Sequence, residues 1–164
     1  GEAERARLRE PRLSDFEAFA VFYTTESAHF VGGPRPKGES WRGFAAVVGH
    51  WHLKGFGWWV IEADGVPVGS TGVHFPPTHA DLEIGWVLFP SHQGRGLALE
   101  TALAARAWAR ANLPPQRLVS YIDAANAPSR RLAERLGAAP EEGRAAHDPE
   151  CLVYLHPGEH ADGR

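Results

Sequence analysis

The chain has 164 residues, of which 43% are hydrophobic and 23% are charged. This composition is typical of a globular protein, and the length favours one domain over residues 1–164, with frayed tails at 1–4 and 158–164. The formal net charge is −3 at pH 7. A chain of this charge has no general attraction to nucleic acid or to anionic membranes, so neither is expected as a partner.

The sequence lacks several features that would indicate a membrane, secreted or metal-binding protein. No run of about 18 apolar residues predicts a membrane span, and no apolar segment near the start predicts a signal peptide. Cys151 is the only cysteine, which excludes an internal disulfide and makes a reducing, cytoplasmic location the default expectation. His50 and His52 would point to different sides of a helix, so no metal site is predicted.

The first half of the chain predicts two helices followed by a hairpin. A short strand at 6–9 precedes a helix over 14–23, which a capping box at Ser14–Glu17 would open, and a second helix spans 39–53. The residues between the helices, 26–38, read as a loop. Asp64 and Gly65 predict a tight turn between strands at 58–63 and 66–75.

The second half alternates strands and helices. A strand at 82–89 leads through a turn at 90–92 into a helix over 94–112, and a buried strand follows at 117–122. A helix over 126–136 ends at Gly137, and two strands are expected at 138–144 and 150–156. The order β-α-α-β-β-β-α-β-α-β-β predicts an α/β fold, with a mixed sheet flanked by helices in a single domain.

The turn at 93–98, Gln-Gly-Arg-Gly-Leu-Ala, has the features of an anion site. Gly94 and Gly96 let the backbone approach a ligand closely, and the N–H groups and dipole of a helix start attract negative charge. Arg95 adds a cation at the same place. A strand that ends in such a turn predicts a phosphate cradle.

Two common phosphate-binding patterns do not fit this turn. A P-loop needs a lysine after its glycines, and the only lysines of the chain are Lys37 and Lys54. A dinucleotide-binding fingerprint needs a third small residue three positions after Gly96, where Leu99 stands.

The turn and its flanks instead resemble motif A of the GNAT N-acetyltransferases, Q/R-x-x-G-x-G/A after a strand. The preceding LEIGWVLFP and the following LALETALAARAWA are also similar to the family, especially to its ribosomal-protein N-acetyltransferase-like subgroup. The resemblance implies a GNAT fold, whose central sheet is mixed and mostly antiparallel, and N-acetyltransferase activity with acetyl-coenzyme A as co-substrate. It also implies that the pyrophosphate of coenzyme A binds the turn residues, namely Gln93, Gly94, Arg95, Gly96, Leu97 and Ala98.

A second segment is similar to motif B of the same family, N-x-x-S followed by a helix and L-G-A. Asn126 reads as a helix N-cap. The resemblance further implies that Asn126 bonds the pantetheine arm, that Ser129 lies near the thioester sulfur, and that Arg130 or Arg131 meets the 3′-phosphate. The tyrosine that many members carry further along this helix, as the acid for the leaving thiolate, is absent here. Ser129 is the predicted substitute.

The transfer also needs a base, because an ammonium with a pKa near ~10 is not a nucleophile at neutral pH. Glu83, early on the central strand, is the predicted base, acting through a water; the alternative is a solvated carboxylate on a sheet face. A backbone N–H near Val87 or Leu88 is the predicted oxyanion donor. Val87, Leu88 and Phe89 are also expected to pair with the pantetheine like an added strand.

The acceptor is expected to be an amine, either on a small molecule or at a protein N-terminus, and the net negative charge disfavours an acidic one. The candidates for its pocket are Phe30, Trp58, His74 and Tyr154. A covalent acyl-cysteine route through Cys151 has no His or Asp signature directly beside the cysteine. The rival hypothesis is a non-catalytic acyl-coenzyme A-binding sensor or interaction domain of the same fold. A homodimer stays open, since the sequence does not set the oligomeric state.

Overall fold

The computed structural model describes residues 6–158, so the predicted frayed tails lie outside the described residues except at Gly158. The elements in chain order are β1 (Ala6–Arg9), α1 (Phe16–Phe22), α2 (Lys37–Lys54), β2 (Trp58–Ala63), β3 (Val66–His74), β4 (Leu82–Leu88), α3 (Leu97–Asn112), β5 (Leu118–Asp123), α4 (Ala127–Arg135), β6 (Ala139–Pro140) and β7 (Cys151–Leu155). This order confirms the predicted α/β pattern.

Three predicted boundaries are wrong. The capping box is not built on Ser14: a 3₁₀ turn precedes α1, and the Asp15 carboxylate accepts a hydrogen bond from the Arg12 backbone N–H at 2.8 Å. Helix α3 begins at Leu97 rather than near residue 94, because Gly94 and Gly96 have φ values of +80° and +77°, outside the helical region. Strand β6 is only two residues long, although the Glu141 N–H still donates to the Val153 carbonyl of β7 at 2.8 Å.

The seven described strands form one sheet in the order β1-β2-β3-β4-β5-β7-β6. The hairpin between β2 and β3 turns at Asp64 and Gly65, whose φ values of +53° and +77° confirm the predicted tight turn. Strands β1 to β4 pair antiparallel with their sequence neighbours, and β5 pairs antiparallel with β7. The one parallel pair among these strands, β4 with β5, gives the sheet its mixed character.

The two faces of the sheet pack against different helices. Trp59 points to the α3 face, where its ring centroid lies 5.1 Å from that of Trp108, and the alanines of α3 at positions 102, 105 and 109 are buried. Trp58 points to the opposite face. Helices α1 and α2 cover that side and pack on each other through Phe16 and Phe44. Within the described residues no helix combines the length and apolarity needed to cross a membrane.

Candidate active site

The sheet opens in the middle, between β4 and β5. These parallel strands pair only at Leu82 with Leu118 and at Glu83 with Val119, although β4 continues to Leu88. A cavity of about 410 Å³ reaches into this region from the face covered by α1 and α2. Residues from both sides of the opening line it, so the gap is the place where a ligand can meet the free edge of β4.

The hydrogen-bond alternation of β4 decides which backbone groups face the gap. The Phe89 N–H donates to the Val68 carbonyl at 2.8 Å, so Phe89 is committed to β3. Because bonded and non-bonded pairs alternate along antiparallel strands, the N–H of Val87 also faces β3, whereas those of Trp86 and Leu88 face the gap. Of the two oxyanion donors predicted, Leu88 therefore has the suitable direction. Trp86, which sequence reasoning missed, has it as well.

A buried polar network holds the two strands together where the gap begins. Ser120 on β5 donates its hydroxyl proton to the Ile84 carbonyl on β4 at 2.6 Å, and His156 Nε2 lies 2.8 Å from Ser120 Oγ. Since the single hydroxyl proton is used by Ile84, His156 Nε2–H must be the donor to Ser120. Its Nδ1 then accepts from Arg106 at 3.1 Å. Burial lowers the pKa of His156 to about 3, in keeping with a neutral ring.

Glu83 lies at the last residue pair before the strands separate, on the cavity face of the sheet. Its side chain is 14% exposed, and the residue paired with it on the neighbouring strand β3 is His74. Burial raises the pKa of Glu83 to about 8. A carboxylate in this environment can take a proton near neutral pH, and it is therefore not the solvated surface group of the alternative interpretation.

Three further ring side chains surround Glu83, and sequence reasoning did not select them. His79 Nδ1 lies 3.4 Å from Glu83 Oε1, its ring stacks on His147 with centroids 4.1 Å apart, and Tyr121 packs edge-on against both. Burial, with a contribution from His147, lowers the pKa of His79 to about 4. No short-range pattern could have revealed this group, because its members come from the β3–β4 connection, β5 and the β6–β7 connection.

The glycine-rich turn has the form of an open cradle. Nothing lies within 4 Å of a Cβ built on Gly94 or Gly96, and Gly96 is the N-cap of α3. Gln93 donates its side-chain amide to the Leu88 carbonyl at 3.0 Å, which ties the turn to the end of β4. Arg95 is exposed, whereas the Leu97 side chain is buried, so Leu97 can offer a ligand only its backbone. Ala98 follows in the first turn of α3.

Asn126 and Ser129 both line the cavity from the start of α4. Asn126 is the N-cap, as predicted, and its Oδ1 accepts a hydrogen bond from the Ser129 N–H at 3.3 Å. The Trp86 indole Nε1 lies 3.3 Å from Ser129 Oγ. An indole N–H can only donate, so the Ser129 hydroxyl accepts this bond and keeps its own proton for another partner.

Arg130 has a structural role in the described residues. Its guanidinium donates to the Tyr154 hydroxyl at 2.9 Å and to the Ala124 carbonyl at 3.0 Å, and it does not line the cavity. These bonds engage Nε and Nη1 of the guanidinium, and the contact of Arg130 with a phosphate stays a prediction. Arg131, the other residue considered for that role, is exposed.

The acceptor candidates divide in the same way. Phe30, Trp58 and His74 line the cavity, whereas Tyr154 is fully buried under Arg130 and is not part of it. A Cβ on Gly85 would overlap the Trp58 indole, so this glycine allows the ring to lie against β4 beside Glu83.

The metal and covalent alternatives are given no support. Burial raises the pKa of the Cys151 thiol to about 12, with further contributions from its bond to Asp148 and from nearby carboxylates, so the thiol stays protonated. His50 bonds the Phe56 carbonyl through Nδ1 and the Phe75 N–H through Nε2, which leaves no nitrogen for a metal. Across the described residues, no three His, Cys, Asp or Glu side chains are grouped as a metal site would require.

Comparison with known proteins places this geometry in a family. A family model described as an acetyltransferase (GNAT) domain matches residues 5–139. An acetyltransferase from Agrobacterium tumefaciens has 35% sequence identity and a TM-score of 0.88, with 94% of this chain and 92% of that chain covered. A GnaT-family acetyltransferase from Bordetella pertussis has 26% identity and a TM-score of 0.79, with 94% and 96% covered.

The ribosomal-protein α-N-acetyltransferase RimL, in complex with coenzyme A, is also among the structural neighbours. It shares 19% identity at a TM-score of 0.71, with 96% of each chain covered, which is a likeness of fold. The chain belongs to the GNAT acetyltransferase family. The predictions of family, fold and acetyltransferase class are thereby confirmed.

Proposed function

We propose that this protein transfers the acetyl group of acetyl-coenzyme A directly to an amine, with both substrates bound at the gap between β4 and β5. The observation that carries the proposal is the convergence of Glu83, the free edge of β4 and Ser129 on one cavity. The glycine cradle at the end of β4 would hold the pyrophosphate through the N–H groups of residues 94–98, since the Gln93 N–H already donates to the Pro90 carbonyl, and Arg95 would add charge.

The transfer needs a base, an oxyanion donor and an acid. Glu83 removes a proton from the bound ammonium, either directly or through a water. The amine nitrogen then attacks the thioester carbonyl carbon, and the developing oxyanion is stabilised by a gap-facing N–H of β4, from Trp86 or Leu88. The C–N bond forms as the C–S bond breaks. Ser129 donates its proton to the departing thiolate and regains one from the attacking nitrogen, which loses its second proton as the amide forms. The products are an N-acetyl amide and free coenzyme A.

The hydrogen-bond direction at Ser129 supports its role as the acid. Because Trp86 donates to Ser129 Oγ, the hydroxyl proton is directed away from the indole. Asn126, which lines the same cavity, keeps its side-chain N–H groups for the pantetheine arm while its Oδ1 caps α4. Val87 would contribute its side chain to the cavity wall, and Phe89 would pack against Phe19 and Phe22 of α1. These roles replace the backbone pairing with pantetheine that the sequence predicts for the two residues.

Calorimetric titration with acetyl-coenzyme A, free coenzyme A and ATP tests the cradle. We expect the wild-type protein to bind both coenzyme A forms and not ATP, and Gly96→Glu to lose that binding. A glutamate at Gly96 would combine an unfavourable φ of +77° with a negative charge at the pyrophosphate position. Glu134→Gln, an exposed change on α4, is the control and should bind normally.

Coenzyme A binding by wild type and Gly96→Glu alike would place the ligand elsewhere, and no binding by either would remove the basis of the proposal. If coenzyme A binds but no amine causes thiol release, the rival acyl-coenzyme A sensor becomes the better description. The acceptor itself is an amine of either a small molecule or a protein N-terminus, and a homodimer and a cytoplasmic location stay predictions.

A further inference from the structure

The acceptor side of the cavity contains a cation with no protein counter-ion in the described chain. Arg35, from the segment between α1 and α2, is the only Lys or Arg among the described residues that line the cavity. Within residues 6–158 no carboxylate lies within ion-pair distance of its guanidinium. This sets it apart from other partly buried cations such as Arg9, which bonds both Asp15 and Glu62.

Arg35 is held in place rather than extended into solvent. Its backbone N–H donates to the Tyr23 carbonyl at 2.7 Å, and its guanidinium lies 3.9 Å from the centroid of the Tyr23 ring. Nε is 3.4 Å from the hydroxyl of the buried Ser40. A Cβ on Gly43 would approach a terminal nitrogen to 2.9 Å, so this glycine of α2 leaves room for the group.

The donors of this guanidinium are mostly unused by the protein. An arginine offers five N–H donors, and the only side-chain bond found for Arg35 in the described residues is the one to Ser40. A planar, fixed guanidinium with its terminal N–H groups unbonded at a cavity wall is suited to bidentate recognition of a carboxylate. The ordered guanidinium is therefore positioned to bind an anionic group of a ligand.

Arg35 and Glu83 line the same cavity, so one acceptor molecule could bind Glu83 through its amine and Arg35 through an anionic group. Both line the space on the face covered by α1 and α2, and apolar side chains such as Phe19, Phe44 and Val47 line it too. An amine that reaches Glu83 could place an anionic group at Arg35 across these apolar walls. One cation matches one negative charge, which favours a carboxylate over a doubly charged phosphate.

We propose that the acceptor is a small amine that also carries a carboxylate, with the carboxylate bound by Arg35. This inference rests on the proposed N-acetyltransferase function and specifies its substrate class. It revises the expectation that an acidic acceptor is disfavoured: a net charge of −3 describes the whole chain, whereas Arg35 makes this part of the cavity locally positive.

The test compares matched pairs of amines in a thiol-release assay at saturating acetyl-coenzyme A. The pairs are β-alanine and its amide, 4-aminobutanoate and its amide, and 6-aminohexanoate and its amide, with O-phosphoethanolamine and ethanolamine as the phosphate pair. In each pair a methylene chain separates the amine from the group that is varied. We expect the wild type to have a kcat/KM at least about tenfold higher for the carboxylate member of one or more pairs, as a charge-assisted bidentate contact would give.

Arg35→Met should lower that kcat/KM by about 10- to 100-fold, mainly through KM, and change the amide member less than twofold. Arg35→Lys, which keeps the charge without the fork, should fall between the two. Arg42→Met on the exposed side of α2 is the control and should match the wild type. Coenzyme A titration of each variant checks that the fold is intact, and the wild-type preference among the pairs is a test that needs no variant.

The outcomes separate this inference from the function on which it rests. Acetylation of neutral amines, with no advantage for carboxylates and an equal effect of Arg35→Met on both, overturns the inference and leaves the N-acetyltransferase function standing. A preference for O-phosphoethanolamine alone overturns the carboxylate assignment in favour of a phosphate. If coenzyme A binds and no amine of the panel is acetylated, the inference is overturned, whereas the N-acetyltransferase function fails only if peptides with a free N-terminus are not acetylated either.

Discussion

Glu83 has a position and a pKa that suit a base for an ammonium substrate. It stands where β4 and β5 separate, it faces the cavity, and burial raises its pKa to about 8. Free carboxylic acids titrate near ~4, so an exposed glutamate would be too weak a base to accept a proton from an amine efficiently. Its environment, rather than its residue type, makes Glu83 suitable.

The pH dependence of kcat/KM checks this assignment. The base must be a carboxylate before it can act, and the carboxylate form grows as pH rises through the pKa of about 8. We therefore expect kcat/KM to rise with pH and to show a limb with its midpoint near 8, distinct from the acceptor's own ionisation near ~10. Glu83→Gln should lower kcat/KM by about 10²- to 10⁴-fold and abolish that limb.

Glu39→Gln, an exposed change on α2, is the matched control and should keep both the rate and the limb. Unchanged coenzyme A binding by Glu83→Gln would show that the loss is chemical. A variant that retains wild-type turnover would remove Glu83 from the mechanism and leave His79, its neighbour at 3.4 Å, as the next group to test.

At the scale of elements, the junction of β4 with β5 depends on very few bonds. Beyond the two residue pairs of the parallel ladder, the strands are connected by the Ser120 hydroxyl, which also accepts from His156. Ser120 is 1% exposed and His156 is 2% exposed, so neither can substitute water for a lost partner. Such buried networks are costly to break because each member needs its bond.

Ser120→Ala should therefore lower the free energy of unfolding by about 1–3 kcal/mol, the cost of leaving buried polar groups unsatisfied. Equilibrium urea unfolding followed by tryptophan fluorescence measures this. Ser91→Ala is the control, because Ser91 is an exposed serine in the turn after β4, and it should stay within about 0.5 kcal/mol of the wild type. Equal stability of the two variants would mean that the network contributes little to joining the strands.

Sequence patterns were sufficient for the elements because each has a local cause. The turn at Asp64 and Gly65 needs positive φ, the alanines of α3 are spaced to face a sheet, and Asn126 caps α4 through its own side chain. Residues 93–98 carry a short motif whose function depends on backbone conformation, which explains why the family was recognisable from the sequence.

The parts of the site that could not be predicted depend on contacts between distant segments. Nothing near Arg35 in the sequence indicates that Tyr23 and Ser40 will hold its guanidinium at a cavity. The direction of each N–H of β4 follows from the register of β4 with β3. A shift of that register by one residue would turn the Val87 N–H, instead of the Leu88 N–H, toward the gap. Arg130 matches the motif in sequence, yet Tyr154, on a strand added later in the chain, occupies it.

For the whole molecule, the opening divides the sheet into a four-stranded part, β1 to β4, and a three-stranded part, β5, β7 and β6. Consecutive amides of β4 consequently belong to different environments: those of Val87 and Phe89 face β3, and those of Trp86 and Leu88 face the gap between β4 and β5. Amide hydrogen exchange distinguishes the two sets, since exchange is slow only where the N–H is bonded or excluded from water.

In the unliganded protein we expect fast exchange at Trp86 and Leu88 beside slow exchange at Val87 and Phe89. Bound coenzyme A should slow the first pair and leave the second pair unchanged, so that the alternation along β4 disappears. Uniform protection of all four amides without ligand would be incompatible with an open strand edge. If the alternation disappears when coenzyme A binds, the cofactor acts as a temporary eighth strand, and the sheet of this protein is complete only during the catalytic cycle.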